Sequence, residues 1–538
     1  MTMTGDSVEH DTEVIIVGGG PVGMALAVDL GQRGISCVVI ERREHVGTIP
    51  KGQSLMHRSL EHFYFWGCLD ELRAARVLPP GYPIGGITAY ENLMSQYWYL
   101  PEGLGVVDQY FFQKNERLPQ YRTEEVLRAR ASLLGNVTII YDTTVNGLEE
   151  TDDGVRVSYE STEDSLETGE LRARFVVGCD GARSLVRERA GIERKTRDFS
   201  QKMVLAVFGS TELHIGLERF PERTTYRVLN PKYHGIWQFF GRVKLGETWF
   251  FHGPVPDDME LTDTGTLQAM LEEAAGFSFA CAFEHIGFWD LKIEVATRYR
   301  NGPIFIAGDA SHVHPPYGGL GLNTGLDDVA NLGWKLAANL QGWGGEELLE
   351  SYSEERQPIF AQTGDDLIGQ WIDDDDAFFA RYSPGVDEPE FEKAWNSRTG
   401  GEFAPPWYEP HYEGSRVIVG APSDEIGIHG EHTFRAQPGH HLAPCRLSSD
   451  RDVFEELGRD LALVALDADD GDVEAIVSAA GALGIPLNVI RDDLADNRSR
   501  YMATLMLVRP DQYIAWCADH APGNPTETLA RICGIEAH

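Results

Sequence analysis

Gly18, Gly20 and Gly23 are spaced Gly-x-Gly-x-x-Gly between a β-branched run at residues 14–17 and a helical pattern over residues 24–33. The first glycine permits a tight turn, the second lets backbone approach a pyrophosphate, and the third lets helix pack on strand. Free amides at the helix start then face the phosphates. Glu41 follows the next apolar run, Cys37–Ile40, about 20 residues on, where an acid accepts hydrogen bonds from ribose hydroxyls. The same acid disfavours a ribose 2′-phosphate. This strand-turn-helix-strand unit therefore suits FAD or NAD rather than NADP.

Two distant loops choose between them. Gly178, Cys179, Asp180 and Gly181 follow a second buried strand, and Gly308, Asp309 and Ala310 follow a third. A glycine-rich stretch after Pro316, with Gly318, Gly319, Gly321, Leu322 and Asn323, then opens a helix. An NAD dehydrogenase needs neither loop. FAD needs both, because its ribityl chain and flavin ring lie far from the adenine.

In order and spacing these motifs resemble the class A flavoprotein aromatic hydroxylases, the group that contains p-hydroxybenzoate hydroxylase and phenol hydroxylase. The resemblance implies that the glycine turn, Glu41 and Arg42 hold the ADP moiety. It places Asp180 in a motif linked to FAD and NADPH, and Asp309 on the ribityl and pyrophosphate region. Backbone amides of Gly321, Leu322 and Asn323 would line the flavin ring, Gln120 would contact the ribityl chain, and Arg58 would border the flavin. The implied reaction uses NADPH or NADH as a transient reductant and O2 as co-substrate. A flavin C4a-hydroperoxide then hydroxylates a phenolic or hydroxypyridine-type ring. The alternative is an FAD-dependent oxidase or dehydrogenase of similar fold, without oxygen insertion.

Electrophilic attack is faster on a phenolate, so a base or polarising hydrogen bond should act on the substrate hydroxyl, in a dry pocket. No catalytic residue is assigned: Gln53 stands near a position where some phenol hydroxylases carry an acid. Tyr226, Tyr233, His234 and His252 are candidates, each more often structural than catalytic. Tyr226, Trp237, Phe239 and Pro316 are the candidate pocket residues. Trp237, Phe239, Trp249 and Phe251 alternate at strand spacing, so one face could line a pocket, with ordinary core packing the favoured reading. His312 and His314 read as packing or flavin-loop residues, the acidic run at 373–376 as a solvated loop or helix end, and no metal site is expected.

The apolar pattern supplies the elements that must position these residues. It predicts an α/β fold with a Rossmann-type FAD-binding domain built from residues 1–80, 115–190 and 296–370. An antiparallel-sheet substrate domain, 81–114 and 191–295, is inserted into it, with strand-like runs at 203–208, 225–229, 235–243 and 248–255. An irregular connection over 371–439 leads to a β/α domain over 440–538. Residues 507–516 within it resemble the thioredoxin-like C-terminal domain of the phenol-hydroxylase branch. It has no CxxC pair, so a structural role is expected.

Asp and Glu outnumber Lys and Arg by 84 to 46, a net charge of −38. Such a surface repels phosphate backbones and anionic lipid, which argues against nucleic-acid and membrane partners. Seven dispersed cysteines read as reduced thiols. Residues 1–6 lack a signal-peptide pattern, so a cytoplasmic protein is expected. The family level adds a homodimer or higher homo-oligomer as an expectation.

Overall fold

The computed structural model describes residues 10–101, 105–163, 166–398, 405–493 and 495–536. Residues 1–6, on which the leader reading rests, lie outside them.

The main sheet carries the three loops. Thr12–Val17 lies between Cys37–Ile40 and Thr168–Gly178, and Thr168–Gly178 lies between Thr12–Val17 and Ile304–Ile306, all in parallel. Register does the decisive work. Val17 sits opposite Gly178, and Gly178 opposite Ile306, so three strands far apart in sequence end level with one another. Their following loops open at the carboxyl edge of a parallel sheet, where ligands of this fold class bind. Near-continuous Val and Ile runs make these strands: residues 14–16 have no solvent exposure, as both sheet faces are covered. Helices Pro21–Gln32 and Leu320–Leu340 pack against each other.

A second, eight-stranded sheet runs in the order His312–Val313, Ala282–Ala296, Arg194–Gly209, Thr248–Val255, Gln238–Lys244, Thr225–Leu229, Gly86–Tyr90 and Trp98–Tyr99. Ala282–Ala296, fifteen residues long, was not among the expected strands. Its apolar and polar residues alternate without a clean run, and it gains its identity by pairing along the length of Arg194–Gly209. Helix Thr264–Ala275 covers one face of the sheet through Leu267 and Leu271. The short strand His312–Val313 joins the sheet to the third cofactor loop.

The stretch expected to be irregular contains regular helix, at Gln370–Arg381 and Glu388–Asn396. The acidic run falls inside the first of these, and Asp375 is buried rather than solvated. Its carboxylate accepts from Trp237 Nε1 at 2.7 Å and pairs with Arg398. Asp373 and Asp376 pair with Arg197 and His234.

The C-terminal sheet has Leu461–Leu466 beside the parallel strand Leu487–Asp492 and the antiparallel strand Leu505–Val508, with Ile514–Ala518 at the edge. Helices Asp470–Leu483 and Pro525–Ile532 pack together on this unit. All seven cysteines are unpaired thiols. No helix among the described residues is long and apolar enough to cross a membrane.

Candidate active site

A cavity of about 650 Å³ runs between the carboxyl edge of the parallel sheet and the antiparallel sheet. Gly18, Gly20, Glu41, Arg42, Asp180 and Asp309 line one side of it.

Each glycine answers a distinct local demand. Gly18 has φ +103°, and a Cβ there would lie 2.4 Å from the Cys179 carbonyl oxygen. A Cβ on Gly23 would lie 2.0 Å from the Gly18 oxygen, so the third glycine is fixed by the close approach of helix to turn. Gly20 differs from both. Its φ of −71° suits any residue, and a Cβ there would meet nothing within 4 Å. It borders open space at the amino end of helix Pro21–Gln32, where amides without intrahelical partners face the cavity. Glu41 is held across this turn, accepting from Gly19 N at 2.6 Å and Arg43 N at 3.0 Å.

Asp180 and Asp309 face the same space from the other two loops. Asp180 Oδ2 accepts from Val186 N at 3.1 Å, whereas its Oδ1 has no protein partner. Desolvation is the main influence on both carboxyls and raises them above the ordinary carboxylate range. Asp309 is nonetheless open to solvent that fills the cavity. The dense surrounding wall, not lack of access, is what penalises its charge. Arg194 braces this loop by donating to the Asp309 and Ala310 carbonyls.

Gln120, Gly321 and Leu322 line the middle of the cavity. Gln53 Nε2 and His314 Nε2 are buried in its wall without protein partners. Burial holds His314 neutral by pushing its pKa down to about 4. A long polar ligand with phosphates at one end and hydrogen-bonding groups along its length fits this set of donors and acceptors.

The far end is aromatic. Trp237 stacks on Tyr317 at 4.2 Å and on Trp371 at 5.6 Å. The Arg227 guanidinium lies 4.2 Å over the Trp237 ring and donates to Thr88 Oγ1 and the Tyr99 hydroxyl. Phe239 stacks on His252, and both line the cavity with Phe250 and Pro316. His252 Nδ1 is buried without a partner, and desolvation pushes the imidazole pKa down to about 3.

Residues 11–366 match the family described as FAD binding domain. Residues 435–535 match the family described as aromatic-ring hydroxylase, C-terminal. The chain belongs to the FAD-dependent aromatic-ring hydroxylases. Among relatives of this hydroxylase, the 4-methyl-5-nitrocatechol 5-monooxygenase of Burkholderia sp is 29% identical, with 96% of each chain covered. The rifampicin monooxygenase of Streptomyces venezuelae is 32% identical over 66% of this chain and 71% of that one. The rebeccamycin biosynthetic enzyme RebC with reduced flavin is a structural neighbour at TM-score 0.82 and 25% identity, covering 98% of this chain and 99% of that one. The flavin-dependent monooxygenase PieE shares the fold at TM-score 0.85 and 22% identity, over 98% of this chain and 100% of that one.

Three of the hydroxylase's expected site residues stand differently from their sequence reading. Arg58 is outside the cavity lining: it pairs with Glu61 at 2.5 Å and donates to the Asp511 carbonyl, tying the cofactor half to the C-terminal unit. Asn323 is also outside the lining. Its side chain accepts from Met56 N and Ser59 Oγ and donates to the Ser54 and Gly319 carbonyls, so it clamps two loops together. Tyr226 points to the opposite sheet face, against Trp249 and Arg242, while its neighbours Thr225 and Arg227 face the cavity. By the same alternation Trp249 and Phe251 belong to the core under helix Thr264–Ala275, the ordinary packing favoured for them, while Phe250 and His252 face inward. Of the other candidate bases, Tyr233 and His234 lie on the turn Pro231–Tyr233 and its cap, away from the cavity lining. His312 is a packing residue, stacked on Phe360 at 3.9 Å and bonded to Asp328 at 2.6 Å. Sequence reasoning missed Arg227, whose signal is the period of two from Trp237 and Phe239 carried to the paired strand.

Proposed function

We propose that this hydroxylase adds one oxygen atom of O2 to a phenolic or hydroxypyridine-type ring seated between Trp237, Phe239, Phe250 and Pro316, using NADPH or NADH. The observation that carries the reading is one continuous cavity joining the glycine turn to an aromatic chamber that contains Arg227 and His252. Gly18, Gly20, Glu41 and Arg42 would hold the ADP moiety of FAD, Asp180, Asp309 and Gln120 its middle, and Gly321 and Leu322 the edge of its ring. When bound, FAD supplies the redox chemistry and the activation of O2. The segments 1–80, 115–190 and 296–370 serve the cofactor, 81–114 and 191–295 the substrate, and 440–538 has a structural role.

The chain's own contribution is placement, charge and exclusion of water. A guanidinium within a few ångströms of a phenol favours its anion, lowering such a pKa by about 1–3 units. Arg227 occupies that place in the chamber wall. His252, kept neutral by burial and lining the cavity, can offer a ring nitrogen to the substrate hydroxyl. The stack of Tyr317, Trp237 and Trp371 helps close the chamber against water.

His252→Phe keeps the stack on Phe239 and removes only the polar atoms. We expect about a 10²-fold fall in kcat with FAD content and Tm unchanged, read from substrate-stimulated NADPH oxidation. An unchanged rate would remove His252 from the reaction. For the function itself, the flavin-loaded wild type is supplied with NADPH, 18O2 and a panel of phenols and hydroxypyridines. A product carrying one labelled oxygen is the expected result. Peroxide release with no labelled product from any ring would favour the oxidase reading.

A further inference from the structure

A second cluster of chemistry-bearing groups lies outside the cavity, between the cofactor half and the C-terminal sheet. Tyr408–His411 is a short strand paired with Gly427–His429. Glu409 and His411, two residues apart on this strand, meet Glu413 and His440. His440 Nδ1 lies 2.9 Å from Glu409 Oε2, and its Nε2 lies 2.9 Å from Glu413 Oε1. The His411 and His440 rings are nearly parallel, 5.1 Å apart. One ligand atom from each of His411, Glu413 and His440 falls within 4.8 Å of the others.

The independent observation is His411 itself. The residue is 7% exposed, and its Nδ1 has no protein partner. A buried ring nitrogen left unpaired is costly, and a metal ion would satisfy it.

We propose that His411 Nδ1, His440 Nε2 and a Glu413 carboxylate oxygen form a binding site for a divalent transition metal ion, with zinc as the fitting class. Two imidazoles and one carboxylate match the ligand preferences of zinc and leave a fourth position for water. Glu409 then accepts from His440 Nδ1 and fixes the ring orientation, as carboxylates behind ligating histidines do. A divalent ion also balances the two carboxylates once His440 gives up its Nε2 proton. The place suits a brace. The backbones of Gly439 and His440 are bonded to Ile514, and Tyr412, next in sequence to His411, reaches Arg356 of the cofactor half.

The test uses untagged, flavin-loaded full-length protein equilibrated with ZnCl2 or CoCl2 and then desalted. The expected result is about one metal per chain by elemental analysis, a tetrahedral cobalt spectrum, and a Tm that falls on adding EDTA. His411→Ala and Glu413→Gln should each abolish retention without loss of flavin absorbance. Glu409→Gln should weaken affinity about 10–100-fold. Wild-type protein that is folded and yellow, yet retains no stoichiometric metal and ignores EDTA, would overturn the proposal. It would make the cluster a His440 ion pair shared by two glutamates. The wild-type result decides this even where a variant fails to fold.

Discussion

Gly20→Val is expected to give a folded protein that no longer retains FAD. The three turn glycines separate into two kinds on geometry alone. Gly18 and Gly23 are required by the chain's own backbone, since a Cβ at either would overlap a carbonyl oxygen. Gly20 has an ordinary extended conformation and open space where its side chain would stand, so valine there costs the apoprotein little. The isopropyl group would occupy the volume that a pyrophosphate needs for its approach to the helix amides. Flavin absorbance after purification should fall to background, while circular dichroism and the Tm of the apoprotein stay at wild-type values. Gly23→Ala should damage both, because its methyl group would meet Gly18 O. Retention of FAD by Gly20→Val would mean that the phosphates lie elsewhere in the cavity.

Glu355→Gln should cost the protein about 3–5 kcal/mol of stability, the usual penalty for removing one partner of a buried ion pair. Glu355 is fully buried and accepts from Arg509 at 2.7 and 2.8 Å, Lys335 at 2.7 Å, Asn331 at 2.6 Å and Ser415 at 2.7 Å. Arg509 also binds Asp511 through Nε at 2.9 Å. Two cations and two anions balance, and removing one anion leaves Lys335 and Arg509 facing Asp511 alone. Burial already pushes the Lys335 pKa down to about 8, so the variant would carry a neutral lysine at working pH. The group joins helix Leu320–Leu340, helix Glu346–Gln362 and the C-terminal unit, and urea unfolding should show a lower midpoint.

The same residue sets a pH dependence. Burial opposes the Glu355 charge, but the Arg509 and Lys335 charges hold its carboxyl far below the ordinary value of 4.5. A depressed carboxylate contributes its stability in full above the unfolded value and loses it as pH falls towards the folded one. Wild-type stability should therefore decline below about pH 4.5, with a shallower decline in Glu355→Gln. Equal acid slopes for the two proteins would assign the acid loss to other carboxylates.

Much of the cofactor side was legible in the chain. The turn glycines announce themselves because their demands are local: a positive φ, a close approach and open space all lie within a few residues. Glu41 is equally readable, one strand later. The aromatic chamber was legible in type but not in phase. Of the candidate pocket residues, Trp237 and Phe239 face the cavity, yet Tyr226 faces the other way, on the side of Trp249 and Phe251. A strand shows that alternate residues share a face; which face is inward depends on register with its partners. Arg58 and Asn323 have motif-like positions, and their side chains are spent on contacts with residues distant in sequence.

The amino-acid sequence by itself determined the cofactor class, the parallel-sheet entry and the order of the three loops. Each depends on short-range spacing of glycines, acids and β-branched runs. Tertiary structure alone decided that residues 18, 180 and 309 share one cavity, because that follows from strands ending level across the sheet. It alone brought Glu355 to Arg509 and His411 to His440, across 154 and 29 positions of chain. Such pairs leave no periodic trace, since the free energy that joins them comes from burial and charge compensation between segments that meet only when the chain has folded.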